Sequence, residues 1–239
     1  GDKINVVVPT GNFGNILACY YAKQMGLPVD RLICASNENK VLFDFFTTGT
    51  YDRNRPFHLT SSPSMDILIS SNLERLIYRI AGYDDKKDSE FMKELSNDGK
   101  YTITPEMKEK LADFYGNFAD QQETKDEIKR VFDDTGYVLD PHTAVASAVY
   151  QKFLKDTDDG KPVVIASTAS PYKFTRTVMQ AIGHDDPSKS DLELTDDLAE
   201  VSGMRIPQAI EEIKTAPVRH KTTCEVDEMP EVVKKFLGI

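Results

Sequence analysis

The stretch INVVVPTGNFGN, residues 4–15, decides the fold of this chain, because an apolar run is followed at once by a loop with two glycines. The run is mostly β-branched and predicts a buried strand. Residues 16–25 carry apolar side chains at helical spacing, and Gly26-Leu27-Pro28 ends that helix. Residues 31–35 predict the next strand. A strand, a helix and a strand within about 30 residues form a βαβ unit, which predicts a parallel sheet.

Helical periodicity recurs along the rest of the chain, over 65–81, 90–95, 105–118, 125–132, 141–154 and 171–182. Ser64 is predicted to cap the first of these helices, and residues 162–166 predict a third strand. Between 84 and 135 charged residues are frequent and no comparable strand pattern occurs. We therefore expect an α/β fold, a mostly parallel open sheet with flanking helices. One domain would span 1–239, with a charged helical insertion at about 84–135.

The composition of the chain excludes several classes of protein. Among 239 residues, 29 are Lys or Arg and 39 are Asp or Glu, which gives a net charge of −10. Such a surface repels phosphate backbones and acidic membranes, so neither a nucleic acid nor a membrane is an expected partner. No apolar stretch approaches the roughly 18 residues of a membrane span. Three widely spaced cysteines and no signal-peptide pattern predict a reducing, cytoplasmic location.

The loop Gly11, Asn12, Phe13, Gly14 and Asn15 joins the first predicted strand to the first helix. Its glycines let the backbone approach a ligand, while the N–H groups of the helix's first turn have no intrahelical acceptor. The positive end of the helix dipole favours an anion, most naturally phosphate. The alternative is an ordinary βα turn in which glycine only relieves strain. The loop is neither a Walker loop nor a GxGxxG motif.

Small polar residues also follow the third predicted strand, in the stretch STASPYKF, residues 167–174. Open α/β sheets bind ligands at the carboxyl ends of their strands, so this stretch and the first loop are expected to meet in one crevice. Ser170 suits the N-cap of the helix that begins at Pro171, which leaves Ser167 and Thr168 free for a ligand.

Four stretches of the sequence resemble one enzyme family. They are VVPTGNFGNILACYYAKQMGLP (7–28), ASNENKVL (35–42), DPHTAVA (140–146) and STASPYKF (167–174). In this order they resemble threonine synthase, and GNFGN resembles its bacterial and fungal branch, within the fold-type II pyridoxal-phosphate enzymes. The resemblance is weakest from Asp84 to Asp134. It implies the large-domain fold of those enzymes.

The resemblance also implies roles for individual residues. Gly11 to Asn15 would hold the phosphate of pyridoxal 5'-phosphate, and Thr168 would place its hydroxyl against the pyridine nitrogen. The reaction would convert O-phospho-L-homoserine and water to L-threonine and inorganic phosphate. A serine or threonine dehydratase and a cysteine synthase remain alternatives with the same cofactor. A non-catalytic phosphate-binding α/β module is the alternative from another class.

Two further residues are candidates for binding the substrate. His142 begins a helix where a polar side chain can face the crevice, although a lone histidine is more often a cap or a packed polar group. Lys173 can meet a substrate phosphate, although most such lysines are solvated. Asn37 and Asn39, after the second strand, either contact substrate or cap the next helix, and we expect the cap. No metal site is predicted, because the histidines lack metal-ligand spacing.

The family's Schiff-base lysine lies in a Ser-Phe-Lys motif ahead of the phosphate loop, and no lysine in this chain follows Ser-Phe. Lys173 follows the third strand, which is the wrong place for that role. We therefore expect no catalytic residue within the chain, which looks like the C-terminal part of the enzyme. The lysine would belong to a missing N-terminal part. A sheet without that cover exposes apolar surface, which is compatible with self-association.

We predict that the 239-residue chain alone forms no L-threonine from O-phospho-L-homoserine, because it lacks the Schiff-base lysine. The measurement is phosphate release and amino-acid analysis of the purified chain supplied with pyridoxal phosphate. Threonine above the protein-free blank would contradict this prediction.

Overall fold

The computed structural model describes residues 2–239. Its strands and α-helices follow in the order β1 (Ile4–Pro9), α1 (Gly14–Gln24), β2 (Val29–Ser36), α2 (Val41–Thr48), β3 (Thr50–Asp52), α3 (Leu73–Ile80), α4 (Asp85–Asn97), β4 (Lys100–Thr102), α5 (Pro105–Glu109), β5 (Phe114–Phe118), α6 (Gln121–Thr135), α7 (Pro141–Thr157), β6 (Val163–Ile165), α8 (Thr175–Ile182), α9 (Leu194–Ser202), α10 (Gln208–Thr215) and α11 (Met229–Leu237). Short 3₁₀ helices lie at Pro63–Met65, Pro171–Lys173 and Val226–Glu228.

The central sheet has four parallel strands in the order β5-β2-β1-β6. Val7 in β1 pairs with Ile33 in β2 on one side and with Ile165 in β6 on the other. Strands β3 and β4 form a separate antiparallel pair. The expectation of an α/β fold with a mostly parallel open sheet and flanking helices is confirmed.

Both faces of the sheet are covered, and alternate residues of β1 show this most clearly. Val6 and Val8 belong to a buried cluster shared with α1, α2 and α3, whereas Val7 belongs to a second cluster shared with α7. Helix α7 packs against all four strands of the sheet. Because both faces of β1 are covered, Val6, Val7 and Val8 form a continuous apolar run and do not alternate with polar residues.

Two of the predicted helices were wrong in extent. The helix expected over 105–118 ends at Glu109, and residues 114–118 form β5, which pairs with β2. Gly116 fits there because a Cβ atom would lie only 3.2 Å from Phe46 Cβ. The segment 84–135 therefore contributes a strand to the central sheet. Pairing with β2 overrides the helical pattern of these residues, and such long-range pairing cannot be seen in the local periodicity of the sequence.

The helix expected over 65–81 begins only at Leu73, and Ser64 does not cap it. Polar side chains between 60 and 72 bond to other parts of the chain, which holds this stretch out of the helix. The correction matters for function, because residues 60–72, named here the bridging segment, cross the carboxyl end of the sheet.

The chain divides into two compact units, one ending at Arg205 and the other comprising Ile206–Ile239. The first contains the central sheet, and the second contains α10 and α11. The assignment of 1–239 to a single large-domain portion stays a prediction. No helix within residues 2–239 is long and apolar enough to cross a membrane.

We predict that Leu32→Ala lowers the free energy of unfolding by about 2–5 kcal/mol, because a fully buried leucine in the centre of the sheet leaves a cavity. Leu27→Ala is the matched control, since Leu27 is 50% exposed and its loss should change stability by less than about 0.5 kcal/mol. Urea unfolding of both variants measures the difference. Equal effects would contradict the placement of Leu32 in the core.

Candidate functional site

The loop of residues 11–15 lies where β1 ends and α1 starts. Phe13 is the N-cap of α1 and has φ 63° and ψ 6°, the left-handed conformation. Its ring is buried and contacts Phe46 and Phe114, with centroids 6.1 Å and 5.9 Å away. These contacts hold a backbone conformation that a phenylalanine adopts only under constraint.

The first turn of α1 is open to an anion. No side chain caps it, and no acidic residue lies in it. The first hydrogen bond of the helix runs from Leu17 N to Phe13 O at 3.1 Å. The N–H groups of residues 14–16 therefore have no acceptor within the helix. Gly14 and Asn15 are exposed. The helix terminus therefore presents N–H donors and its positive dipole end to a ligand.

Gly11 lies in close contact with the bridging segment. A Cβ atom at this position would come 2.9 Å from Met65 Cα and 3.1 Å from Ser64 O. Both neighbours are backbone atoms, so neither can rotate away. The residue must be glycine for the loop and the Ser64–Met65 turn to approach as they do.

The bridging segment is hydrogen-bonded to the loop at one end. Ser70 Oγ donates to Gly11 O at 2.8 Å, and Ser71 N donates to Asn12 Oδ1 at 2.8 Å. Asn72 Nδ2 donates to Asn12 O, also at 2.8 Å. The Asn12 side chain thus orients the loop through its oxygen, which leaves its amide nitrogen for a ligand.

At its other end the bridging segment is tied to the carboxyl end of β2. Asp66 Oδ1 accepts from Asn37 Nδ2 at 2.8 Å and from Asn39 Nδ2 at 3.0 Å, and Thr60 N donates to Asp66 Oδ2 at 2.8 Å. The expectation that Asn37 and Asn39 cap α2 was wrong. The N-cap of α2 is Lys40, and no side chain accepts a hydrogen bond from the N–H groups of its first turn.

A buried pair, Asp140 and His142, ties the start of α7 to the bridging segment. Asp140 caps α7 by accepting from His142 N at 2.9 Å and Thr143 N at 3.2 Å. His142 Nδ1 lies 3.2 Å from Asp140 Oδ1, and Ser64 N donates to His142 Nε2 at 3.2 Å. Burial alone would raise the pKa of Asp140, but hydrogen bonds from His142 and Thr143 outweigh it and lower that pKa below its usual value.

The third wall of the site follows β6. Thr168 is exposed after the strand, and Ser170 Oγ accepts from Tyr172 N at 3.3 Å, which is the predicted cap at Pro171. Lys173 is exposed, with Nζ 6.0 Å from the centroid of the Phe174 ring. Its ammonium group forms no ion pair with any of residues 2–239.

These walls enclose a cavity of about 280 Å³ at the carboxyl end of the sheet. Eight residues singled out from the sequence line it, whereas Ser167 does not: Gly11, Asn12, Phe13, Gly14, Asn15, His142, Thr168 and Lys173. The structure brings them together, while their binding roles stay predictions. The lining side chains include no carboxylate within residues 2–239, and Lys173 supplies the one ammonium group.

Sequence reasoning did not assign seven of the lining residues to the site. Four of them, Val8, Pro9, Thr10 and Ala169, adjoin predicted residues, whereas Ser64, Met65 and Asn72 belong to the bridging segment. The polar composition of residues 60–72 was a signal, since serine, threonine and asparagine favour turns over helix interiors. The helical spacing of apolar residues after Met65 obscured it.

Known proteins similar to this chain agree on one family. A family model described as threonine synthase, C-terminal, matches residues 143–236. Threonine synthase-like 1 of Homo sapiens is 45% identical over 184 residues, which cover 76% of this chain and 24% of that protein. Threonine synthase of Saccharomyces cerevisiae is 40% identical over 195 residues, which cover 75% of this chain and 38% of that protein.

Solved structures show the same likeness. A threonine synthase from yeast aligns with a TM-score of 0.81 and 32% identity over 99% of this chain and 48% of its own. A threonine synthase from Brucella melitensis with bound PLP aligns with a TM-score of 0.72 and 35% identity, over 85% of this chain and 42% of its own. The chain therefore spans less than half the length of each of these relatives.

We predict that Gly11→Ala destabilises the protein by about 1–3 kcal/mol, because the added methyl group forces the Ser64–Met65 turn away from the loop. Gly160→Ala is the control, since a Cβ atom there meets nothing within 4 Å. Urea unfolding measures both. If the two variants unfold alike, the close approach at Gly11 is not a constraint on the fold.

A second prediction concerns the pH dependence that Asp140 contributes. Because its pKa is lower in the folded protein, its carboxylate stabilises the fold above the unfolded pKa of about 3.9, and this contribution is lost as the pH falls below that value. Asp140→Asn should lower the free energy of unfolding by about 1–3 kcal/mol at pH 7. The deficit should shrink between about pH 4 and pH 3.

Urea unfolding at several pH values tests this, with Asp2→Asn as the control because Asp2 is exposed. A deficit that stays constant down to pH 3 would show that the Asp140 charge does not stabilise the fold.

Proposed function

Because this chain is a relative of the threonine synthases and matches their C-terminal domain, we propose that it is the cofactor-binding part of a threonine synthase. The enzyme would convert O-phospho-L-homoserine and water to L-threonine and inorganic phosphate. The observation that carries the proposal is the cavity at the carboxyl end of the sheet, which is lined by the loop Gly11 to Asn15 and by Thr168, the residues to which the resemblance gives roles toward the cofactor.

The loop is suited to the phosphate group of pyridoxal phosphate. The uncapped first turn of α1 offers N–H donors, Asn12 and Asn15 offer amides, and Gly11 lets the backbone come close. The absence of a carboxylate from the lining, within residues 2–239, suits an anion. These features fit the cofactor, and we assign its phosphate to Gly11, Asn12, Phe13, Gly14 and Asn15.

Thr168 is assigned to the pyridine nitrogen of the cofactor. It lines the cavity from the β6 side. When bound, pyridoxal phosphate withdraws electrons from the substrate carbons next to it. A neutral hydroxyl, in contrast to a carboxylate, leaves the pyridine nitrogen largely unprotonated and so moderates that withdrawal.

Of the two candidates for substrate binding, Lys173 and His142, we propose Lys173 as the direct contact of this chain. The exposed Lys173 ammonium group has no ion-pair partner among residues 2–239, which favours a role toward the substrate phosphate. The His142 ring already has partners at both nitrogens, so its contribution runs through those partners. The Schiff-base lysine is assigned to a part of the enzyme outside these residues. A cytoplasmic location and self-association stay predictions.

A second candidate function is a different reaction with the same cofactor. Threonine synthase-like 1, which is 45% identical to this chain, is named for its likeness to threonine synthase, and its name states no reaction. A serine or threonine dehydratase belongs to this second class.

Substrate comparison separates the two candidates. The enzyme that contains these residues is loaded with pyridoxal phosphate and given O-phospho-L-homoserine, L-serine or L-threonine. Threonine and phosphate formed from the first substrate alone support threonine synthase. A keto acid formed from serine or threonine, with no threonine from O-phospho-L-homoserine, supports the dehydratase.

We predict that Thr168→Val lowers the turnover rate by about 10- to 100-fold, because one hydrogen bond to the cofactor ring is lost while the side-chain shape is kept. The bound cofactor's absorbance should shift, while its phosphate remains held by the loop. Thr47→Val, on the exposed side of α2, is the matched control. Unchanged turnover in Thr168→Val would contradict the assignment of the Thr168 hydroxyl to the cofactor ring.

A further inference from the structure

The His142 imidazole lines the cavity although it is only 2% exposed, and it is held on three sides. Asp140 Oδ1 lies 3.2 Å from Nδ1, and Ser64 N donates to Nε2 at 3.2 Å. The Phe174 ring covers it, with the two centroids 4.9 Å apart. Since Nε2 accepts a hydrogen bond, it carries no proton, and the ring proton lies on Nδ1 toward Asp140.

The group that His142 holds is a backbone amide opposite the phosphate loop. Ser64 N–H is bonded to His142 Nε2, while Ser64 O and Met65 Cα are the atoms nearest to a Cβ placed on Gly11. The same turn therefore contacts His142 on one side and the loop on the other. Displacing Ser64 would change the distance between the two walls of the cavity.

Asp140 fixes the orientation of the imidazole. It is 2% exposed, and its carboxylate also accepts from the Thr143 hydroxyl and caps α7. The long helix α7 packs against all four strands of the sheet, so the pair is anchored to the rigid part of the fold. A hydrogen-bond chain runs from this anchor through Asp140 and His142 to Ser64.

We propose that His142 is a positioning residue for the cofactor phosphate site, with Asp140 orienting its ring. His142 holds the Ser64–Met65 turn against Gly11, and this sets the width of the cavity at its phosphate end. The inference rests on the proposed function, because the affinity it concerns is that for pyridoxal phosphate. It gives His142 a role through Ser64 and no contact of its own with the substrate.

Two substitutions separate the partners of His142. In His142→Gln the amide group reaches about as far as Nε2, so its oxygen can accept from Ser64 N–H, while the Asp140 contact is lost. In His142→Asn the amide occupies the place of Nδ1, so it keeps the Asp140 contact and cannot reach Ser64. His184→Leu is the control, since His184 is exposed and outside the cavity lining.

The first readout is amide hydrogen exchange of residues 60–72 in the cofactor-free enzyme. The wild type, His142→Gln and His184→Leu should protect the Ser64 amide alike, whereas His142→Asn should exchange it about tenfold faster, as expected for one lost hydrogen bond. The second readout is equilibrium dialysis with pyridoxal phosphate. His142→Asn should bind it about tenfold more weakly, with His142→Gln within about threefold of the wild type.

Three results would overturn the inference. They are equal exchange in His142→Asn and the wild type, equal cofactor affinity in the Asn and Gln variants, and a rise in the KM for O-phospho-L-homoserine with cofactor affinity unchanged. The last would make His142 a direct substrate contact. If the wild type itself binds no pyridoxal phosphate, the proposed function fails, and the exchange measurement still decides the Ser64 contact.

Discussion

The approach of Gly11 to the Ser64–Met65 turn is the contact on which the site depends. A single methyl group at Gly11 would lie 2.9 Å from Met65 Cα, so the two backbones are as close as they can be. The loop is held by α1 and by bonds from Ser70 and Ser71 of the bridging segment. The turn is held by His142, and Asp66 next to it by Asn37. The cavity lies between the loop and the turn.

Electrostatics in this protein differ between the surface and the site. The chain carries a net charge of −10, yet the cavity is lined within residues 2–239 by N–H groups, amides, hydroxyls and one ammonium group, that of Lys173. Surface charges are screened by water and salt beyond about 10 Å, whereas the helix terminus acts at contact distance. An acidic protein can therefore hold an anionic group at one end of its sheet. The carboxylate of the buried Asp140 is hydrogen-bonded to the N-terminus of α7 and to the His142 ring.

The aromatic packing beneath the loop links the site to the fold. Phe13 keeps its left-handed backbone because its ring is enclosed by Phe46 and Phe114. Phe114 begins β5, the strand that the charged helical pattern of the sequence concealed. The edge strand β5 therefore supports Phe13, the middle residue of the loop, through the Phe114 ring. A substitution that moves Phe114 would also displace Phe13 and the loop.

The sequence by itself determined the α/β class and the βαβ start through short-range patterns. It also indicated the eight residues that meet in the cavity, through the rule that ligands lie at strand carboxyl ends and through the resemblance to threonine synthase. Their roles toward a cofactor remain to be tested by the experiments above. Tertiary structure alone decided β5 and the bridging segment. Residues 114–118 become a strand because β2 pairs with them, and residues 60–72 leave the helical pattern because Asn37, Asn39 and His142 bond to them. Those partners lie 27 to 82 positions away in the chain, so a local sequence pattern does not contain them.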